Sequence, residues 1–508
     1  MNSPLQLFRD LLPFTNGHTE DKAAANVHSL LEATAGLPPQ EVVVRLTSSV
    51  LPAAAGQSNL HMRFKLLEDI RHVAESTLPV LEAYVSQAVL PLPLAATTSA
   101  LHADNLIKGM AHAYANLARN IAKHQQHQGL SHLFHRAIQR AMALVARRQR
   151  LAYRAYAMPS ATSWQMLHDL YRMGCDPLTM PLNGETAPIE HEYIEALLFA
   201  YIEPNKLHRS ELDELLSCTR QLAAYAVISE VTPDTLNTRQ SESCFLVRPD
   251  EGSPGSPLSR IAPGSSIFGC LVVDCTQVLA ALDRNISRVP GKGIEPDLRV
   301  SPAILQALRT AIAGKGSRRF SRTKFRPRGD VIGGLAQVVA FLDGRAFSRR
   351  SLDAFGRQDA RDFASSEWAM IDESPDGFRL RFIKGEKWQI GVGDVVALQP
   401  RESSKVHVCL VRRITSTNNR LELGLQLMSP QVSIAELAID NTTGPRVIFM
   451  HSLPAYGRYP GLIVPPGVVS SGDLVTLRMP GRNVEHRIGK CMEANDGLEF
   501  YALELSPL

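Results

Sequence analysis

The side chains best suited to chemistry in this 508-residue chain are cationic and concentrated in one short run. Between Lys315 and Arg350 stand ten of them (Lys315, Arg318, Arg319, Arg322, Lys324, Arg326, Arg328, Arg345, Arg349 and Arg350) against Asp330 and Asp343. The local charge of +8 exceeds the +4 of the whole chain, so the remainder is net negative. Such a run requires an anionic counterpart. Arginine outnumbers lysine eight to two here. A guanidinium can fork onto a phosphate and also lie flat on an aromatic ring, whereas an ammonium is a point charge. Downstream, Asp372-Glu373-Ser374-Pro375-Asp376-Gly377 ends a strand-like run that holds Trp368 and Met370. Every one of Asp, Ser, Pro and Gly favours a turn.

These residues need a scaffold. Short strand patterns at Trp368 to Ile371, Phe378 to Phe382, Asp394 to Leu398, Val406 to Ile414 and Leu421 to Met428 indicate a small antiparallel barrel or sandwich. VIGGLAQVVAFL, after the arginine run, is read as its first strand, with Ser348 to Ser366 as an insertion. A second set follows at Arg446 to Met450, Leu462 to Val464, Asp473 to Arg478, His486 to Met492 and Glu499 to Leu505. It reads as another small β unit that extends the first barrel or packs on it.

Arg318-Arg319-Phe320-Ser321-Arg322 followed by Asp372-x-Ser374-x-x-Gly377 resembles the R-x-x-x-R and D/N-x-S-x-x-G pair of PilZ domains, the bacterial receptors for cyclic di-GMP. GEKWQIGVGDVVALQP, VCLVRRI and LELGLQLMSP resemble the rest of that barrel. The resemblance covers residues 317 to 430 and extends to divergent members with long helical N-terminal regions. It implies that Arg318, Arg319 and Arg322 take phosphate and stacking roles. Asp372 would accept from guanine N–H groups, Ser374 would add a hydrogen bond, and Gly377 would supply the backbone conformation of the turn. The spacing departs from the family pattern, with 49 residues between Arg322 and Asp372. Arg345-x-x-x-Arg349 leaves 22 and fits better, but SLDAFGRQDARDF after it has no strand pattern, so Arg318 and Arg322 are the preferred pair and Arg345 with Arg349 the alternative.

Before the barrel the pattern is helical. Leu106, Ile107, Met110, Tyr114, Leu117 and Ile121 share one face, as do Leu212, Leu215, Leu216, Leu222 and Tyr225. Ser210 with Asp213 forms a capping-box start for the latter. Together these readings predict a multidomain α + β protein: an all-helical domain over 1–235, a small α/β module over 240–313, a PilZ-like β-barrel over 317–432 and a second small β unit over 440–508.

The remaining signals exclude more than they assign. Seven cysteines without a C-x-x-C read as reduced thiols, and the expected setting is cytoplasmic, without a membrane span. His124, His127, His132 and His135 could in principle chelate a metal, but Gly129 interrupts them and no carboxylate joins, so no metal or other cofactor is expected. The basic helix 136 to 154 is read as a solvated face. Phosphate-loop, nucleophile-elbow, zincin and dinucleotide-binding fingerprints are all missing from the sequence. The expectation is a non-enzymatic effector in which cyclic di-GMP at the barrel is coupled to a protein partner through the helical domain. A ligand-free scaffold, or nucleic-acid binding through 315–350, stands as the alternative.

Overall fold

The computed structural model describes residues 15–504, apart from 124–129, 176–186, 232–242, 263–264, 289–295, 315–326, 346–364, 418–419, 440–441, 452–458 and the single residues 402, 404 and 430. The chain divides into two compact units. The first takes the residues up to Gly316 except Val89–Pro91 and Asn205–Arg209, and the second takes those two segments together with Ser317–Leu508.

The first unit is helical through its N-terminal two thirds. Its main helices are α1 (Thr15–Glu32), α2 (Pro39–Arg45), α3 (Leu51–Ala55), α4 (Leu60–Ser86), α5 (Leu94–Lys123), α6 (Ser131–Arg154), α7 (Ala161–Cys175), α8 (Ala187–Tyr201) and α9 (Glu211–Leu222). The apolar stripe of α5 is buried as its spacing requires, with Leu106, Ile107, Met110, Tyr114 and Leu117 all inaccessible.

The arginines of α6 are not the solvated face expected of them. Arg140 donates Nε and Nη2 to Glu68 on α4 at 3.0 Å each, Arg147 forks onto Glu82 at 2.7 and 3.0 Å, and Arg148 forks onto Asp104 of α5 at 2.5 and 3.1 Å. Burial raises the Glu68 carboxyl, but the bonds from Arg140, Tyr114 and Arg71 outweigh it and hold the group below its usual range. Much of the charge run is a partly buried ion-pair seam with neighbouring helices. Periodicity counts charges on α6 but cannot see the carboxylates that other helices bring to them.

Ser210 does precede α9, yet its own backbone is helical (φ −63°, ψ −25°) and its side chain makes no capping bond. A capping hydroxyl needs an extended residue to aim it at the amide two or three positions on.

The same unit holds a four-stranded antiparallel sheet ordered β1-β4-β2-β3, from β1 (Val227–Glu230), β2 (Cys244–Val247), β3 (Ser256–Pro257) and β4 (Leu271–Asp274). Helices α10 (Thr276–Ile286) and α11 (Pro302–Ile312) follow it. Buried His168 of α7 joins these parts, with Nδ1 2.6 Å from the Tyr193 hydroxyl and Nε2 2.9 Å from the Ser253 carbonyl.

The second unit contains two closed six-stranded antiparallel barrels. The first is built from β5 (Arg328–Gly333), β6 (Ser366–Ser374), β7 (Gly377–Gly385), β8 (Val395–Pro400), β9 (His407–Thr417) and β10 (Arg420–Ser429). The second is built from β11 (Val432–Ile439), β12 (Thr442–Met450), β13 (Gly461–Val464), β14 (Leu474–Met479), β15 (Arg482–Asn495) and β16 (Leu498–Glu504). Counted from its own first strand, each barrel closes in the order 1-2-3-6-5-4. The second β unit is therefore a complete barrel with the connectivity of the first.

The two also share a turn, bond for bond. Ahead of β8, the Gly391 amide donates to Asp394 Oδ2 (2.6 Å), Gly393 donates to the Val411 carbonyl (2.7 Å), and Val411 donates to the Asp394 carbonyl (2.9 Å). Ahead of β14, Ser470 donates to Asp473 Oδ2 (2.7 Å), Gly472 to Ile488 (2.7 Å) and Ile488 to Asp473 (2.8 Å). Gly393 and Gly472 adopt φ +91° and +99°, which side-chain-bearing residues resist. The repeated Gly-Asp before each fourth strand is the sequence trace of this turn.

One expectation about the first barrel fails. Val331 to Gly333 end β5, but Gly334 turns the chain at φ +89° and Leu335–Ala340 forms a short helix, α12, in place of a continuing strand. The glycine breaks the pleat, and Val338 and Val339 are buried by helical spacing instead. They belong to a core shared by both barrels, with Val395, Ala397, Val408 and Leu410 from the first and Ile448, Met450, Ile463 and Phe500 from the second. Strand β8 is apolar at consecutive positions because Val396 and Leu398 face away from the side that carries Val395 and Ala397, and all four are buried. A separate cluster, including Leu437, Val447, Val475 and Leu503, fills the second barrel.

Candidate functional site

Strand β6 ends at Ser374 and β7 begins at Gly377, so Pro375 and Asp376 form a two-residue hairpin loop. Ser374 Oγ donates to the Gly377 carbonyl at 3.3 Å. The loop is also pinned from outside, because the Leu427 amide donates to the Asp376 carbonyl at 2.8 Å. Gly377 admits this approach. A Cβ there would lie 1.9 Å from the Leu425 carbonyl oxygen, so no other residue fits without moving β10.

The turn opens on a cavity of about 720 Å³, within the range of small-molecule sites. Ser374, Asp376 and Gly377 line it. Its floor is the outer face of β7, β10 and β9. The pairing register places Gly424 of β10 between Arg379 of β7 and Arg413 of β9. A residue without a side chain thus lies flat between two guanidiniums, an arrangement that could seat a planar ring with its anionic groups reaching either side. Arg412 and Lys206 also line the cavity, giving four cationic side chains against Asp376 and Glu422.

Glu422 is already engaged. Glu422 accepts from Arg379 Nε (3.1 Å) and Nη2 (2.6 Å) through Oε2, and from Arg381 Nε (2.9 Å) and Nη2 (2.8 Å) through Oε1. Burial raises this carboxyl, but the two guanidiniums outweigh it and hold it below its usual range. Asp372 approaches the cavity through Arg379, whose Nη1 lies 3.8 Å from Asp372 Oδ2. Arg379 is about half exposed, so each of these pairs is worth roughly 0.2–1 kcal/mol. An incoming phosphate, which takes charge-assisted bonds of the same kind, can exchange with them.

Of the residues singled out in the sequence, Asp372, Ser374 and Gly377 thus come together at one hairpin, two of them on the cavity wall. Arg318, Arg319, Arg322 and Arg349 lie outside the described residues, as do His124 and His127. His135 Nδ1 sits 2.9 Å from the Ser131 carbonyl, and among the described residues no group of three or more His, Cys, Asp or Glu is placed to hold a metal. None of the seven cysteines is joined in a disulfide. No helix among the described residues is long and apolar enough to cross a membrane.

The sequence reading missed Arg379, Arg412, Arg413 and Lys206. Two signals were present. Arg379-Leu380-Arg381 alternates, and Gly424 interrupts an otherwise side-chain-rich strand, a usual mark of close approach by another group. Lys206 had none, since it comes from Asn205–Arg209, the short segment that belongs to the barrel unit though it lies among helices in the sequence.

Residues 25–234, less than half of the chain and all of it before the barrels, match the family described as the cyclic-di-GMP receptor FimW, N-terminal domain. The helical part of this chain is therefore similar to that of a cyclic-di-GMP receptor. No curated protein and no solved structure matches the chain.

Proposed function

We propose that this chain is a non-enzymatic cyclic di-GMP effector whose first barrel, a PilZ-like domain, takes the ligand in the cavity beside Ser374–Gly377. The observation that carries the reading is the cavity itself: a glycine floor between Arg379 and Arg413, walled by the hairpin that the D-x-S-x-x-G motif builds. A cyclic dinucleotide offers two phosphates and two purine rings. The guanidiniums suit both, the first as forked hydrogen-bond partners and the second as stacking planes. Arg318, Arg319 and Arg322 would add phosphate contacts from the segment just before β5, while Asp372 and Ser374 would meet the guanine edge. The match of residues 25–234 to a cyclic-di-GMP receptor's N-terminal domain supports the same ligand from an independent part of the chain. We assign the helical domain to a protein partner.

Equilibrium dialysis against cyclic di-GMP tests this. Wild type should retain ligand, while Arg379→Ala and Ser374→Ala should each retain less with unchanged circular dichroism. Equal retention by Arg379→Ala and wild type would remove the cavity from the account.

A second reading has one observation in its favour. Arg379, Arg381, Asp372 and Glu422 pair with one another, as the residues of a scaffold barrel would. A chain that binds no cyclic di-GMP yet still holds its partner through the helical domain would be this scaffold.

A further inference from the structure

Arg412 and Arg413 are consecutive in β9, and in a regular strand they would point to opposite faces. Both nevertheless line the cavity. The register explains how. Gly424 pairs with Arg413 and Leu425 with Val411, so Arg412 is the extra residue of a β-bulge. Bulges re-aim a side chain, and this one turns Arg412 onto the cavity rim.

From there Arg412 reaches both Gln426 and Glu493. Its Nε donates to Gln426 Oε1 at 2.6 Å, and Gln426 is itself a cavity residue. Its two Nη atoms fork onto Glu493 of β15 in the second barrel, with Nη1 to Oε2 at 2.5 Å and Nη2 to Oε1 as the closer contact. Glu493 stands beside a bulge of its own, where the pairing jumps from Cys491–Tyr501 to Glu493–Phe500. The paired side chains are partly exposed, Arg412 at 32% and Glu493 at 26%, so the fork is weak enough to exchange.

We propose that Arg412 is where occupation of the first barrel is read by the second: a phosphate-bearing ligand in the cavity takes the guanidinium from Glu493 and releases β15. A phosphate presents the same forked pair of oxygens as a carboxylate, so it competes for the same two Nη atoms. The inference rests on the cavity being the cyclic di-GMP site. Linkage then fixes its sign. If ligand and Glu493 compete for Arg412, removing the Glu493 charge must tighten the ligand by the factor by which the ligand weakens the fork.

The test compares the calorimetric Kd for cyclic di-GMP of the full chain with those of Glu493→Gln and Glu436→Gln. Glu436 is a control carboxylate in the same barrel, whose partner is Arg478 at 3.6 Å. Glu493→Gln should bind about two- to fivefold more tightly, within what loss of one partly exposed ion pair allows. Glu436→Gln should bind as wild type does. Should Glu493→Gln fail to fold, Glu493→Asp, which keeps the charge but shortens the reach, should move Kd in the same direction. In wild type, hydrogen exchange across Arg482–Asn495 should speed up on adding ligand. An unchanged or weaker Kd in the Glu493 variants, or equal tightening in Glu436→Gln, overturns the inference and leaves the binding site standing. No binding by wild type removes both.

Discussion

The two barrels have one strand order and one hydrogen-bonded turn, yet their matching strands carry different side chains. In the first, the outer side of β7, β10 and β9 carries Arg379, Glu422, Gly424 and Arg413. In the second, β13 is Gly461-Leu462-Ile463-Val464 and is buried at every position. Its neighbour β16 contributes Phe500 to the core shared between the barrels. The same scaffold therefore lines a cationic cavity in one copy and supplies packing surface in the other. What fixes the barrel is the backbone pairing and the buried residues; what fixes the site is a handful of side chains on one exposed face.

Phe500→Ala should be the most damaging change. The ring is fully buried in the shared core, and its removal should cost about 3–5 kcal/mol. If the barrels are one cooperative body, a single denaturant transition should shift. Two separate transitions, only one of which moves, would show that the shared cluster does not couple them.

Arg379→Ala separates the barrels by function. It should weaken cyclic di-GMP binding by one to two orders of magnitude, roughly 1.4–2.8 kcal/mol, while the melting temperature stays near wild type. Gly424→Val raises the floor between Arg379 and Arg413 and should reduce binding about tenfold, about 1.4 kcal/mol. If Gly424→Val binds as wild type does, the floor is not a ligand surface.

Gly393→Ala and Gly472→Ala test the shared turn. Both glycines hold positive φ, so each substitution should destabilise by about 1 kcal/mol, and by similar amounts in the two barrels. Unequal losses would mean that the turns match in bonds but not in strain.

The smallest effect concerns pH. The Glu422 carboxyl is held below its ordinary value in the folded chain, so the stability it contributes is present above that ordinary value, near 4.3, and is lost as pH falls through the lower folded one. Glu422→Gln should flatten this part of the acid limb in a urea titration. An unchanged limb would mean that its pairs with Arg379 and Arg381 carry no net stability.

The elements were largely legible in the sequence because burial follows period. The stripe of α5 and the short strands after residue 366 lie where spacing puts apolar residues on one face. Misreadings occurred where a distant partner decided the outcome. The arginines of α6 read as solvent-facing until Glu68, Glu82 and Asp104 arrived from other helices, and Leu335–Ala340 read as strand because its valines suit either period. The hairpin of the site was legible because its turn formers act locally. The floor was not, since it exists only once three strands are in register. The aim of Arg412 depends on a bulge that no residue in VRR announces.

The helical region and the barrels invert one another in a further respect. The motif that suggests the ligand lies in the first barrel, but the match to a cyclic-di-GMP receptor lies in the helices. The proposed function thus draws on two separate regions of the chain.

Isothermal titration calorimetry of the full chain with cyclic di-GMP tests that function most directly. The account predicts saturable binding that Ser374→Ala weakens and Arg379→Ala weakens further. Absence of heat up to roughly tens of micromolar, an affinity threshold of about −6 kcal/mol, would contradict it.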